Sequence, residues 1–177
     1  MTSPSPSRPL LAAVFLTASL TIAQAVQATD PGNADFARAT QSFHETLGAL
    51  VAADTSNPPG NEARAVALIA KRLKAEGIAY EITSFAKGLE NIVARLSGSG
   101  EKKPLLLLAH IDVVGADKQN WSSPAHQLVE KDGFLYGRGT NDDLGMAVIN
   151  LETLILLKHA GIPLKRDVIA AFTGDEE

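Results

Sequence analysis

Three short segments of the 177-residue chain carry side chains that could bind a metal ion or move a proton. They are His110-Ile111-Asp112, the stretch from Gly137 to Gly145, and Gly174-Asp175-Glu176-Glu177. One imidazole with several carboxylates is a ligand set for divalent cations, and a carboxylate left free of the metal can take a proton from water. The chain has no cysteine, which excludes thiolate ligands and disulfides. Together the segments indicate metal-assisted hydrolysis.

Each segment taken alone also has a simpler explanation. His110 and Asp112 lie two residues apart, so on a strand they would face one site, with His110 as a ligand and Asp112 as its orienting or a further catalytic carboxylate. They could equally be surface residues of a loop. Asp142 and Asp143 precede an apolar helix and would suit its N-terminus. The last carboxylates could form a solvated acidic tail. The combination of all three favours a site.

The pattern of apolar residues predicts alternating helices and strands that would bring these segments together. The helices are expected at residues 34–53, 61–76 and 143–159, and the strands at 79–85, 91–97, 104–111, 134–137 and 167–173. The two prolines of SNPPGNE predict a loop without regular structure, Asn61 an N-cap, and Gly77 a left-handed helix end. This order indicates an α/β fold with helices on both faces of a mixed, mainly parallel sheet, whose strand ends carry the site.

The N-terminus resembles a secretory signal peptide. Arg8 precedes a mostly apolar run at 10–23, and small residues then allow cleavage after Ala25 or, as favoured here, after Ala28. The run is too short to span a membrane; a buried helix is the alternative. We therefore expect a signal peptide at 1–28 and a periplasmic or secreted protein. A net charge of −4 shows no basic excess, which argues against nucleic-acid binding.

The motifs AHIDVV, GRGTNDDLG and TGDEE, in this order and spacing, resemble the M20 family of di-zinc metallopeptidases. SNPPGNE and the stretch from Trp121 to Gly139 match that family as well, so the similarity runs from about residue 34 to the end. It implies a zinc-exopeptidase-like three-layer sandwich, incomplete at the C-terminus. Residues 29–177 would be the N-terminal part of the catalytic domain, without the family's lid domain, its further ligands and its C-terminal part.

The resemblance also implies a role for each residue of the site. His110 corresponds to a ligand of one zinc ion, Asp142 to the ligand that bridges two ions, and Glu177 to a ligand of the other. Glu176 corresponds to the general base, and Asp112 to the carboxylate that orients His110. Two zinc ions are expected in the complete protein, with Co²⁺ or Mn²⁺ as alternatives.

Several neighbouring residues fall outside this ligand set. Asp143 matches a frequent second aspartate and is interpreted as a helix cap, and Leu144 stands where the family often has lysine. His126 is interpreted as a surface histidine. His159 is expected to interact with the negative end of its helix.

The function implied is that of an exported di-zinc hydrolase which cleaves peptide or N-acyl amide bonds, with peptides or N-acyl amino acids as substrates. The alternative is a truncated, catalytically inactive fragment that lacks the remaining metal ligands, and the 177-residue chain alone is expected to be inactive. A homodimer would form only through the absent lid domain, and no stable membrane span is expected.

Overall fold

The computed structural model describes residues 35–116 and 120–177, so the predicted signal peptide at 1–28 lies outside the described residues. Within these residues lie three α-helices: α1 (Phe36–Ala53), α2 (Ala63–Ala75) and α3 (Leu144–Ala160). All three overlap the predicted helices, and the left-handed glycine predicted at the end of α2 is found at Gly77, with φ of 62°. None of the helices in the described segments has the length and apolar character needed to cross a bilayer.

In the described part of the chain, eight strands form one four-stranded sheet and two small two-stranded ribbons. They are β1 (Ser56–Asn57), β2 (Ala79–Ala86), β3 (Leu89–Leu96), β4 (Leu105–His110), β5 (Val113–Val114), β6 (Val129–Lys131), β7 (Phe134–Tyr136) and β8 (Val168–Thr173). The main sheet has the order β2-β3-β8-β4. The predicted α/β class with a mixed sheet is confirmed. Among the described strands, β4–β8 and β1–β5 pair in parallel and the other three pairs are antiparallel.

The parallel pair β4–β8 positions the candidate site. Its register places Leu105 opposite Val168 and His110 opposite Thr173. The backbone pairing continues for one more residue, because the Ile111 amide donates to the Thr173 carbonyl at 2.8 Å. Since the two strands are parallel and in register, the segments that follow them leave the sheet at the same edge.

The helices pack against one face of the main sheet. Residues of alternate strand positions, such as Ile92, Ala170 and Phe172, are completely buried on this face together with apolar residues of the helices. The opposite face is open in the described part of the chain, where Val93 is 39% exposed, Leu106 56% and Leu108 58%. The second layer of helices predicted for that face is therefore not found within the described segments.

Two local predictions in the SNPPGNE segment are wrong. Ser56 and Asn57 form a short parallel strand with Val113 and Val114, although the prolines that follow predicted no regular structure. Proline blocks its own amide but leaves the amides of the two preceding residues free to pair. The residue at the N-cap of α2 is Glu62 and not Asn61, and its side chain makes no capping hydrogen bond.

Candidate metal centre

Three residues predicted as metal ligands lie together at the edge where β4 and β8 end. One nitrogen of His110 and one carboxylate oxygen each of Asp142 and Glu177 lie within 4.8 Å of one another. His110 closes β4, Asp142 lies in the turn before α3, and Glu177 follows β8. Three chain segments that are distant in sequence thus contribute one donor each. A nitrogen and two carboxylate oxygens form a donor set that fits a divalent cation of the zinc, cobalt or manganese type.

Both ring nitrogens of His110 face oxygen atoms that can only accept hydrogen bonds. Nδ1 lies 3.0 Å from the Asp112 carbonyl oxygen, and Nε2 lies 3.0 Å from Asp142 Oδ1. Burial by itself lowers the pKa of His110, but these two hydrogen bonds and the negative charges of Asp112 and Glu176 outweigh burial, so the pKa lies above the usual 6.5. A metal ion that binds the imidazole must therefore compete with a proton.

The side chain of Asp112 holds the Gly174–Glu177 segment in place. It is completely buried, and its Oδ2 accepts hydrogen bonds from the amides of Glu176 and Glu177, both at 2.9 Å. Its Oδ1 lies 3.4 Å from His110 Nδ1 without forming a hydrogen bond. The imidazole is hydrogen-bonded instead by the main-chain carbonyl of the same residue. Asp112 thus orients His110 through its backbone and the two glutamates through its carboxylate.

Glu176 is placed where a general base could act. Its Oε2 lies 3.9 Å from His110 Nε2, and its side chain is 62% exposed. A water molecule at the site could therefore reach this carboxylate from solvent.

Asn57 is a part of the site that the sequence motifs did not assign. Its side-chain amide donates to Asp175 Oδ1 at 3.0 Å, to the Glu177 carbonyl at 3.2 Å and, more weakly, to Asp112 Oδ2 at 3.3 Å. The β1–β5 pairing brings Asn57 to this edge of the molecule. The only sequence signal was the match of SNPPGNE to the family, which gave Asn57 no role.

Asp143 differs from its predicted role as a helix cap. It occupies the N-cap position of α3, but its side chain makes no capping hydrogen bond. Its Oδ2 instead accepts a long hydrogen bond, 3.4 Å, from the His110 amide. Burial raises the pKa of Asp143 above its usual 3.8, against a weaker opposing effect of His110. The peptide bond between Asp142 and Asp143 is cis.

Two further histidines lie away from the centre. His126 is half-buried with Nε2 at 3.4 Å from Asp54 Oδ1, so it pairs with a carboxylate outside the ligand group. His159 lies in the last turn of α3, and its hydrogen bonds join it to side chains of other helices. Its Nε2 donates to Glu76 Oε2 at 2.6 Å, and its Nδ1 accepts from Arg38.

Comparison with known proteins agrees with this geometry. Residues 106–177 match the model of Peptidase family M20/M25/M40, and this range contains all five predicted site residues. The predicted resemblance to the M20 family is confirmed. The match begins in β4 and includes the site-bearing segments after β4, before α3 and after β8.

Two curated relatives illustrate the M20 resemblance. The bovine (Bos taurus) N-fatty-acyl-amino acid synthase/hydrolase PM20D1 is 41% identical over 75 residues, which is 42% of this chain and 15% of that protein. A probable succinyl-diaminopimelate desuccinylase of Staphylococcus aureus is 41% identical over 103 residues, 56% of this chain and 25% of that protein. The chain thus spans a quarter or less of the length of these M20-like relatives.

Solved structures show the same fold. Human carnosine dipeptidase 1 superimposes with a TM-score of 0.66 at 22% identity, over 77% of this chain and 32% of that one. An M20 family metallo-carboxypeptidase, Sso-CP2 of Sulfolobus solfataricus, gives a TM-score of 0.60 at 20% identity, over 75% of this chain and 30% of that one. The α/β architecture is therefore that of M20 peptidases.

Proposed function

We propose that this chain forms part of a metal-dependent hydrolase that cleaves peptide or N-acyl amide bonds. The observation that carries the proposal is the convergence of His110, Asp142 and Glu177 at the end of the β4–β8 pair. In the described segments, no ion pair joins a lysine or arginine to these carboxylates. The negative charge of the cluster is therefore left for a cation to neutralise.

The residues of the site would have three different roles in hydrolysis: metal binding, proton transfer and positioning. His110, Asp142 and Glu177 would hold a metal ion, which supplies Lewis acidity and makes a bound water more acidic. Glu176 would accept a proton from the attacking water and pass it to the leaving nitrogen. Asp112 keeps the backbone amides of both glutamates at 2.9 Å from its Oδ2, so that the base and the ligand keep a fixed separation from His110.

Zinc is the metal that we propose, with two ions in the complete protein and Asp142 as the ligand shared between them. The support is the M20 resemblance together with a donor set of one imidazole and several carboxylates. Cobalt and manganese accept the same donors, so either could replace zinc in this site.

Peptides and N-acyl amino acids are the proposed substrates. The names of the relatives describe a hydrolase of N-fatty-acyl amino acids, a desuccinylase of succinyl-diaminopimelate and a dipeptidase. All three names refer to substrates with an amide bond, which a metal-activated water can attack at the carbonyl carbon.

A metal titration of the purified chain with matched variants tests the proposal. Co²⁺ binding is followed by its visible spectrum and by competition with a chromophoric chelator. We expect the wild-type chain and Glu176→Gln to bind Co²⁺ with similar affinity, because Glu176 is not a proposed ligand. His110→Ala is expected to lose binding, because the substitution removes the sole nitrogen donor of the group.

The same variants are then assayed for hydrolysis of dipeptides and N-acyl amino acids. Any turnover is expected to fall by about 10²–10⁴-fold in Glu176→Gln, the usual contribution of a general base. Equal Co²⁺ affinity in the wild type and His110→Ala would refute the metal centre. If metal binding depends on His110 but neither substrate class is hydrolysed, the chain is the catalytically inactive fragment described as the alternative above.

We also propose that the protein is exported, with cleavage after Ala28. The support is the order of Arg8, the apolar run at 10–23 and the small residues that follow. N-terminal sequencing of the protein recovered from a bacterial periplasm should begin at Thr29. Recovery of the intact N-terminus from the cytoplasm would contradict this proposal.

A further inference from the structure

Glu62 is a buried carboxyl group that the proposed chemistry does not use. Its side chain has no exposure to solvent, and neither of its carboxyl oxygens makes a hydrogen bond in the described structure. It occupies the N-cap position of α2 without capping the helix. A buried acidic group without partners is unfavourable, so its presence at this position calls for a compensating role.

The side chain of Glu62 lies between two glycines that belong to the two loops of the site. A β-carbon at Gly174 would come within 2.6 Å of Glu62 Cγ and 3.0 Å of its Cδ. A β-carbon at Gly60 would lie 3.0 and 3.1 Å from the two carboxyl oxygens and would overlap Leu89. The backbone at Gly60 and at Gly174 therefore lies so close to the Glu62 side chain that only glycine fits at these two positions.

The segment that rests on Glu62 carries the proposed base and ligand. Gly174 opens the Gly174–Glu177 segment, and its amide is fixed from one side by Asn91 Oδ1 at 2.9 Å. Asp112 fixes the amides of Glu176 and Glu177 at the other end. Asn57 adds hydrogen bonds to the Asp175 side chain and the Glu177 carbonyl, and Glu62 supplies the packing surface against Gly174.

We propose that Glu62 is a positioning residue, whose buried side chain supports the Gly174–Glu177 segment and thereby fixes Glu176 and Glu177 relative to His110. Its action on the metal site rests on the function proposed above. Burial, assisted by the negative charges of Asp112 and Asp175 and opposed by the backbone amides of Glu62 and Asp175, raises the pKa of Glu62 above the usual 4.5.

Hydrogen exchange at the backbone amides of residues 174–177 tests this role without any metal. Glu62→Ala removes the support, and exchange there is expected to accelerate by about tenfold or more through local opening. Glu62→Gln keeps the size and shape of the side chain, so exchange is expected to stay within about threefold of wild type. Leu73→Ala is the matched control, because Leu73 is equally buried in α2 but lies far along the helix from this contact.

Equal acceleration in Glu62→Ala and Leu73→Ala, or a loss of protection in Glu62→Gln, would overturn the proposal. If Glu62→Ala does not fold, Gly174→Ala replaces it, since its new methyl group must displace the Glu62 side chain. Gly115→Ala is the control for that variant, because a β-carbon at Gly115 meets no atom within 4 Å. Gly174→Ala is expected to accelerate exchange by about tenfold and Gly115→Ala to leave it unchanged; equal effects would contradict the role.

Metal affinity, measured on the same variants, separates this proposal from the proposed function. We expect Glu62→Ala to weaken Co²⁺ binding by about 10–100-fold, as for other residues that support metal ligands, and Leu73→Ala to leave it unchanged. A wild-type chain that binds no Co²⁺ would refute the metal centre, while the exchange data would still decide the role of Glu62. Unchanged affinity and unchanged exchange in Glu62→Ala would refute only the positioning role.

Discussion

Two of the places in the described residues where a histidine meets a carboxylate, the surroundings of His110 and of His159, differ in the kind of hydrogen bonds they contain. At the candidate metal centre, both ring nitrogens of His110 face acceptors, namely the Asp112 carbonyl and the Asp142 carboxylate. In the cluster between the helices, His159 donates from Nε2 to Glu76 and accepts at Nδ1 from Arg38. A neutral imidazole satisfies the second arrangement completely but not the first.

The charges around the two histidines differ in the same way. In the helix cluster, Arg72 lies 3.0 Å from Glu76 and 3.4 Å from Glu152, and Ser42 donates to Glu152 at 2.7 Å. Positive and negative groups are thus matched. At the centre near His110, the described residues supply carboxylates without any lysine or arginine partner. The comparison teaches that an uncompensated histidine–carboxylate group indicates a cation site, whereas a compensated one indicates a connection between helices.

The sharpest test of this comparison removes each histidine in turn. His110→Ala is expected to weaken Zn²⁺ or Co²⁺ binding by more than about 100-fold, more than the loss of a supporting residue costs. His159→Ala is expected to change metal affinity by less than about twofold, since its carboxylate partner, Glu76, is already paired with arginines. Chelator competition measures both affinities. A comparable loss in the two variants would remove the distinction between the clusters.

Removing an arginine should show that the helix cluster serves stability. Arg72→Met leaves the Glu152 carboxylate, which is largely buried, without its cation, and we expect a loss of about 2 kcal/mol in the free energy of unfolding. Urea denaturation of the metal-free chain provides the measurement. The double variant Arg72→Met/Glu152→Gln should recover part of the loss; no recovery would mean that Arg72 acts through packing alone.

The stability of the metal-free chain and its apparent affinity for a metal ion should change with pH in opposite directions. The pKa of His110 is raised, so in the metal-free chain its protonated form stabilises the fold fully below pH 6.5, and this contribution is lost as the pH rises through the raised value. A metal ion needs the neutral imidazole. Its apparent affinity should therefore fall about tenfold per pH unit below the pKa of His110, or about 1.4 kcal/mol.

Thermal unfolding and Co²⁺ titrations between pH 5 and 8 measure the two trends. The variant His159→Ala should preserve both of them. Metal affinity that does not vary over this range would show that no proton is displaced from His110.

The smallest effect is expected for the exposed base. Glu176→Gln should change the unfolding free energy of the metal-free chain by less than about 0.5 kcal/mol, because the side chain is 62% exposed and its pairing with His110 is long, at 3.9 Å. Urea denaturation beside Arg72→Met tests this. A loss as large as that of Arg72→Met would mean that the centre, too, serves mainly to hold the fold together.

The sequence was informative where local pattern determines structure. The apolar run before His110 and the run before Gly174 predicted two strands, and their shared edge followed from the rule for parallel sheets. The coverage of both faces expected for the first strand is not found in the described residues, where Leu106 and Leu108 are exposed. The same rule placed one histidine and several carboxylates at strand ends, but the choice of His110, Asp142 and Glu177 among them came from the resemblance to a family. Their proposed roles came from the resemblance to a family and not from the spacing of the residues.

The remaining parts of the site depend on contacts that no local pattern encodes. Asn57 reaches the centre through a two-residue strand, which is too short to give a periodic signal. Glu62 and Gly174 meet because two loops pack face to face, and nothing in either segment predicts the other. The carboxylate of Asp112 accepts hydrogen bonds from backbone amides beyond β8 and forms none with the imidazole of His110, two residues away. Side-chain partners are set by tertiary packing, which composition and periodicity do not specify.

The wide sequence separations within the centre have a consequence for the order of folding. Hydrogen bonds join residues 32 positions apart at His110–Asp142, 64 apart at Asp112–Glu176 and 120 apart at Asn57–Glu177. Contacts of such separation form late, because closing long loops costs entropy before any interaction repays it. The ligands can come together only after β8 has paired with β4. The onset of metal binding during refolding would therefore mark the formation of the native strand pairing.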